Sequence, residues 1–378
     1  MLKKLCCILI ISSTLNCFAS TNLYLFKNQS YLGDNDQLQG AADSIVQNFA
    51  QHGITIKQIE TYESNMSIEK NSIVLFSSVD GVNKWHTIKN NTKSTFGVFL
   101  THQWWDNLFP TFSNNDKFNL IVAPQYSINP LIQESAVKNH VQILGVNGVC
   151  SSLQRNDLMK AYESSTINKN QAYTVVLLAG DTQYVDGTWK LFDEKDAIQL
   201  AKVIAKHYSQ TKQTILVTNG PRTGKIEPKT NQSTNAHKTT DIDSISKIFL
   251  AELSKNIPKS KIQFYNFEYG KPSILFAAMG AVLLNKNSSF YVPGESISTA
   301  SQAISLLPTS SIILYTHHAM LDSHKTYVKQ ELKLGCAALI DESGNSLIPT
   351  QQPNPICSIN QCDEAANKIY DLWQKKNL

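Results

Sequence analysis

The chain has 378 residues, of which 42% are hydrophobic and only 17% charged, with a formal net charge of +4. That length suits two domains of moderate size, and the apolar content excludes a disordered chain. The small charge, with no basic stripe interleaved with aromatics, excludes a nucleic-acid-binding surface.

The N-terminus reads as an export leader. Met1-Leu-Lys-Lys4 is a basic start, and Leu5–Leu15 is an apolar run too short to span a membrane. Cys17-Phe-Ala19 supplies the small residues that a signal peptidase reads, so cleavage is expected after Ala19, removing residues 1–19. The mature protein is then periplasmic or secreted. Lipidation of Cys17 is the weaker alternative, because Thr14-Leu-Asn16 makes a poor lipobox. No later segment holds the roughly 18 apolar residues a transmembrane helix requires, so none is expected in the mature chain.

Two blocks of alternating strand and helix follow. In the first, Asn22–Phe26, Ile54–Ile59, Ser72–Phe76, Phe96–Leu100, Phe118–Val122 and Val141–Leu144 read as short buried strands, and Leu38–Gln51 has helical spacing. In the second, the strands are Tyr173–Leu178, Thr214–Thr218, Lys261–Tyr265, Ser289–Val292, Ser311–Tyr315 and Ala337–Ile340. Near-continuous apolar strands between helices predict parallel sheets covered on both faces. The fold class is therefore α/β, with two Rossmann-like doubly wound domains facing a cleft. The predicted boundaries are 20–150 for the first domain, a polar linker over 151–170, 171–345 for the second, and 346–378 for a loop and a terminal amphipathic helix. Ala366, Ile369, Tyr370 and Trp373 share one face of that helix.

Three of seven cysteines lie in the leader. Cys357 and Cys362 close a short loop beside Pro353 and Pro355, and a disulfide between them is expected in an oxidising compartment. A lone C-x4-C pair is a poor zinc site. Cys336 reads as a buried strand thiol, and a bridge from it to Cys150 is not decided by sequence.

In open parallel sheets ligands bind beyond the carboxyl ends of the strands. Five loops there are rich in small and charged residues: Tyr31–Gln37, Ala179–Thr182, Thr218–Lys225, Tyr269–Ser273 and Pro293–Ala303. Each alone is ordinary turn chemistry, but together they line one predicted edge. In the last, a strand turns through Gly294 into a helix opening with Ser296 and Ser298. Free backbone N–H groups at such a start suit a phosphate, and a plain capping turn is the competing reading.

The order of these segments resembles the mitochondrial fission (elongated-mitochondria) family, whose bacterial members are regarded as glycosyltransferases. That family reads G-D-E-N-Q, a G-G-P-T-like loop, T-S-R-R-T-P, N-P-Y and A-D-S-V-S-M-I-S-E-A. The matching stretches here are Gly33–Gln37, Ala179–Thr182, Asn219–Thr223, Lys271–Ser273 and Gly294–Ala303. The resemblance implies a GT-B-like frame, with a donor phosphate held by Gly180, Thr182, Arg222, Thr223, Lys225, Pro272, Glu295, Ser296, Ser298 and Gln302. Acceptor contacts would come from Gly33 and Gln37. Three positions depart from the family: Gln302 stands for its glutamate, Pro221 for one of its paired arginines, and Lys271-Pro-Ser273 for N-P-Y. An amide accepts a ribose hydroxyl less strongly than a carboxylate does.

Asp34 and Asp36 are the candidate general bases, with Asp36 as a helix N-cap the competing reading. His102 is a second candidate, and Trp104 and Trp105 beside it suit either sugar stacking or core packing. His317, His318, Asp322 and His324 lack helical metal-ligand spacing, so no metal is expected. No nucleophile elbow or Walker loop occurs. Two function classes emerge. One is a glycosyltransferase-like protein binding a sugar phosphate, a glycan or a nucleotide-sugar donor, with no other cofactor. The other is a non-catalytic exported ligand-binding or host-directed protein, with a protein partner, on a degenerate GT-B frame.

Overall fold

The computed structural model describes residues 20–28, 32–61, 67–88, 95–102, 118–183, 188–227, 230, 232–234 and 241–377. The leader and Trp104-Trp105 lie outside the described residues. The first domain is built from β1 (Ser20–Phe26), α1 (Leu32–Gln51), β2 (Thr55–Thr61), β3 (Ile73–Phe76), α2 (Ser78–Thr87), β4 (Phe96–Leu100), β5 (Leu120–Pro124), α3 (Pro130–Lys138) and β6 (Gln142–Val146). Its six strands run parallel in the order β2-β1-β3-β4-β5-β6. Every residue of β3, β4 and β5 is buried, which is why these segments read as unbroken apolar runs.

The second domain follows through α4 (Arg155–Ser164), β7 (Tyr173–Leu177), β8 (Thr182–Gln183), β9 (Trp189–Lys190), α5 (Glu194–Thr211), β10 (Thr214–Thr218), β11 (Ile226–Glu227), β12 (Gln232–Ser233) and α6 (Ser244–Leu253). It continues with β13 (Ile262–Tyr265), α7 (Leu275–Leu284), β14 (Ser289–Pro293), α8 (Ile297–Leu306), β15 (Ile312–Tyr315), α9 (Asp322–Leu334), β16 (Ala338–Ile340) and β17 (Ser346–Leu347). The strand order is β13-β10-β7-β14-β15-β16-β17, parallel except for the edge strand β17. The two Rossmann-like domains expected from the sequence are thus present, and all twelve predicted strands fall on strands.

Two segments add to the sequence reading, and the second is the terminal amphipathic helix it expected. The polar stretch read as a linker contains α4, whose start is fixed by the Asp157 carboxylate accepting the Gln154 N–H at 3.0 Å. Leu158 and Tyr162 on α4 are buried against α7, where a Cβ on Gly280 would lie 2.3 Å from the Leu158 carbonyl oxygen. The terminal helix α10 (Gln361–Asn377) leaves the second domain and packs on α1 of the first. Phe49 meets Tyr370 and Trp373 with ring centroids 5.1 and 5.3 Å apart, and Ser44 Oγ donates to Asp363 at 2.7 Å.

The disulfide differs from expectation. Cys357 bonds to Cys336, not to Cys362. Gly335 ends α9 in the left-handed conformation (φ 76°), and Asn354 N–H reaches the Leu334 carbonyl at 2.8 Å, bringing Cys357 onto Cys336. Cys362 sits instead in the first turn of α10, against the first domain.

The junction between domains passes so close to α1 that Gly40 has no space for a side chain: a Cβ would lie 2.3 Å from the Ser151 carbonyl carbon. Gly40→Ala should therefore destabilise the protein by about 1–3 kcal/mol, despite the helix propensity of alanine. The midpoint of urea denaturation measures it.

Candidate functional site

Both sheets have a switch point, the gap where successive strands are laid down in opposite directions. In the second sheet it lies between β7 and β14; in the first, between β1 and β3. Strand-end loops diverge at such gaps and leave a crevice.

Four loops of the second domain converge at its gap. After β7, Gly180 N–H donates to Glu295 Oε1 at 2.9 Å, spanning the gap to the loop after β14. Glu295 Oε2 lies 2.9 Å from His317 Nε2, which follows β15. The loop after β10 is held by Asp181 N–H donating to the Arg222 carbonyl (3.0 Å) and Gly220 N–H donating to Thr223 Oγ1 (3.1 Å). Gly180 is required here, since a Cβ would lie 2.6 Å from the Arg222 Cβ. Helix α8 then starts beside Glu295. Its amides at Ile297, Ser298 and Thr299 precede the first intrahelical bond, from Ala300 N–H to the Ser296 carbonyl, and the Ser296 side chain does not cap them.

The charges around this point are unequal. Burial pushes the Glu295 carboxyl up, but His317, Arg222 and the Gly180 N–H together outweigh it and hold the group below the usual range. Burial raises Asp181 to about 6, against N–H donors from Ile226, Phe192 and Lys225 and the charge of Arg222. Burial pulls His324 down to about 4; Glu295 opposes this, while Arg222, His102 and His317 add to it. His324 is thus a neutral imidazole at pH 7, and its Nδ1 has no partner. Arg222 forms no ion pair with any described carboxylate.

On the first domain, Asp34 in the first turn of α1 lies 3.6 Å from His102 Nδ1, and Tyr126 OH donates to the His102 carbonyl at 2.7 Å. Tyr126, which holds the His102 carbonyl, meets Tyr327 of α9 with ring centroids 5.2 Å apart, so the two domains face each other here. Gly33 is exposed, whereas Gln37 is buried with its Oε1 unpartnered.

Asp36 and Gln302, read as catalytic and ribose-binding residues, are occupied with each other. Asp36 is inside α1 and caps nothing. Its Oδ1 accepts from Ser152 N–H (3.2 Å) and Ser152 Oγ (2.5 Å), and its Oδ2 accepts from Ser151 Oγ (2.7 Å) and Gln302 Nε2 (3.2 Å). Gln302 Nε2 also donates to Ser151 Oγ at 2.9 Å. Four donors use the acceptor capacity of a carboxylate, leaving none for a substrate proton. They also account for the amide at position 302, since a glutamate there would face Asp36 with like charge.

The remaining residues spread around this centre. Thr182 is buried with its hydroxyl unpartnered, and Thr223 Oγ1 donates to the Leu178 carbonyl at 3.4 Å. Lys225 lies over the Trp189 ring at 5.4 Å. Pro272 is exposed on the loop after β13, beside the Lys271–Glu268 pair (2.5 Å). Ser296 and Ser298 are partly exposed at the α8 start. Sequence reasoning weighed His317 and His324 as metal ligands; instead one orients Glu295 and the other is an uncharged wall of the cleft. Asp193, Asp196 and His318 place ligand atoms within 4.8 Å of one another. The two aspartates there form the capping box of α5, and His318 Nδ1 bonds Asp196 at 2.5 Å. Among the described residues no helix is long and apolar enough to cross a membrane.

No family model matches the sequence, and none of the curated proteins does. Among solved structures, α,α-trehalose-6-phosphate synthase from Burkholderia multivorans is similar at a TM-score of 0.41 and 7% identity, over 95% of this chain and 93% of that one. WaaG, a glycosyltransferase involved in lipopolysaccharide biosynthesis, is similar at a TM-score of 0.37 and 11% identity, over 95% and 93%. The trehalose-6-phosphate synthase OtsA gives 0.36 and 10%, over 82% and 70%. At this distance the fold rests on this chain's own strand order.

Gln302→Glu should lower stability at pH 7 by about 1–3 kcal/mol, and the loss should shrink below pH 4 as one carboxyl takes a proton. Denaturant titration at both pH values measures this. For His324, the folded pKa of about 4 lies below the ordinary value of about 6.5. The unfolded chain therefore binds more protons between those values, and the group's contribution is full above pH 6.5 and lost as pH falls to 4. His324→Gln should remove about 3 kcal/mol of that pH dependence, read as the difference between wild-type and variant stability curves.

Proposed function

We propose that this chain is a glycosyltransferase-like protein of GT-B type that binds a phosphorylated or nucleotide-linked sugar in the cleft between its domains. The observation that carries the reading is the combination at the β7–β14 gap. An arginine that pairs with no carboxylate among the described residues stands beside a helix start without a side-chain cap. A guanidinium offers paired N–H donors to a phosphate, and the helix terminus adds further donors and favourable partial charge. Glu295 is turned into Gly180 and His317, and the Asp181 carboxylate accepts from the Phe192 and Ile226 N–H groups.

Across the cleft, His102 is the proton acceptor and Asp34 the group that orients it. In the transfer step the acceptor hydroxyl oxygen attacks the anomeric carbon and its proton passes to His102. The bond from that carbon to the phosphate oxygen breaks, and the phosphate leaves with the electron pair toward Arg222 and the α8 amides.

Resemblance to the mitochondrial fission family supports the same reading, because its motif positions Gly180, Arg222 and Glu295–Ser298 gather at this gap. With the leader removed after Ala19, the site would work in the periplasm or outside the cell. A lipid-linked or glycan-borne phosphate suits that location better than a free nucleotide sugar.

A thermal-shift panel of UDP-, GDP- and lipid-phosphate-linked sugars tests the proposal. At least one should raise Tm, and Arg222→Ala should weaken that ligand by roughly 10- to 100-fold while leaving the unliganded Tm nearly unchanged. If no phosphate-bearing sugar stabilises the wild-type protein, the proposal fails and a non-catalytic binding role takes its place.

A further inference from the structure

We propose that Cys150 and Cys362 form a second disulfide that ties the junction between the domains to the returning C-terminal helix. Both residues are buried, at 3% and 1% exposure, in the core of the first domain. Both thiols are free in this structure. Cys362 Sγ lies 3.3 Å from Ser151 N and 3.5 Å from Ser151 O, so its sulfur sits against the residue that directly follows Cys150, where the chain leaves one domain and returns to it. Ser151 and Cys362 are 211 positions apart, and only the docking of α10 on α1 brings them together. The Cys336–Cys357 disulfide shows that this chain carries oxidised cysteine, and Cys357 precedes Cys362 by one short turn.

The chemistry balances with a disulfide-carrying thiol oxidant as co-reactant. One thiolate attacks the carrier disulfide, expelling a carrier thiolate and leaving a mixed disulfide. The second cysteine thiolate then attacks the protein sulfur of that bond. An S–S bond replaces two S–H bonds, and the carrier leaves reduced by two electrons and two protons. Once α10 has docked, the contact with Cys362, burial, and the charges of Asp363 and Asp36 hold the Cys150 thiol well above its usual range. Little thiolate then forms, which places the reaction before docking is complete.

The test is peptide mapping of the full chain made in an oxidising bacterial compartment, unfolded without reductant and alkylated. The expected result is a Cys150–Cys362 linked peptide beside the Cys336–Cys357 one. Alkylated Cys150 and Cys362 overturn the proposal, whether or not Cys336 and Cys357 are linked, and so does a Cys357–Cys362 peptide. A second measurement compares Cys150→Ala, Cys362→Ala and the double variant without reductant. Breaking one bond should lower Tm by roughly 5–10 °C in all three alike, since the double variant has nothing further to lose. Losses that add between the two sites would also overturn it.

Discussion

The carboxylate of Asp36 is the point on which this structure turns. It draws donors from the junction residues Ser151 and Ser152 and from Gln302 of the second domain, so α1, the connecting chain and α8 share one anion. Hydrogen bonds to a charged group each contribute about 1.5–3 kcal/mol, and losing one partner strands the others. The arrangement explains two features that looked unrelated in the sequence. Gly40 is small because the junction must approach α1, and position 302 is an amide because it must donate to an acid.

The same economy separates structural from chemical acids in the cleft. Asp36 in α1 and Glu295 in the loop after β14 both have each carboxylate oxygen hydrogen-bonded within the protein. Asp34 keeps a looser partner in His102, at 3.6 Å. On the facing domain, among the described residues, Arg222 pairs with no carboxylate, the first α8 amides have no side-chain cap, and His324 Nδ1 has no partner. Donors thus face the cleft from one domain and a carboxylate–imidazole pair from the other, the asymmetry on which the proposed phosphate site rests.

Much of the frame was legible in the sequence because parallel strands buried on both faces must be apolar throughout. Every residue of β7, β10 and β14 is buried, and each was visible as an uninterrupted run. Helix α4 was hidden because it buries little more than Leu158 and Tyr162 in an otherwise polar segment. The disulfide was misassigned because proximity in sequence favoured Cys362, whereas the turn of α9 into β16 decides which sulfur Cys357 meets. The Asp36–Gln302 contact spans 266 positions, and no local pattern announces such a partnership. The loop residues were found as a set, yet their individual duties depend on which already have a partner.

The return of α10 across the domain gap has a mechanical consequence. The chain passes between the domains twice, and the two passages lie side by side at Ser151 and Cys362. Adjacent crossings act as a single fulcrum, whereas crossings at opposite ends would have braced the domains against any relative rotation. Any movement of one domain against the other would then be largely a swing about that spot. The residues that travel furthest in such a swing are those farthest from it, while those around Asp36 stay nearly still. The protein would thus open and shut like a jaw whose joint is polar and whose bite is set by distance from Ser151.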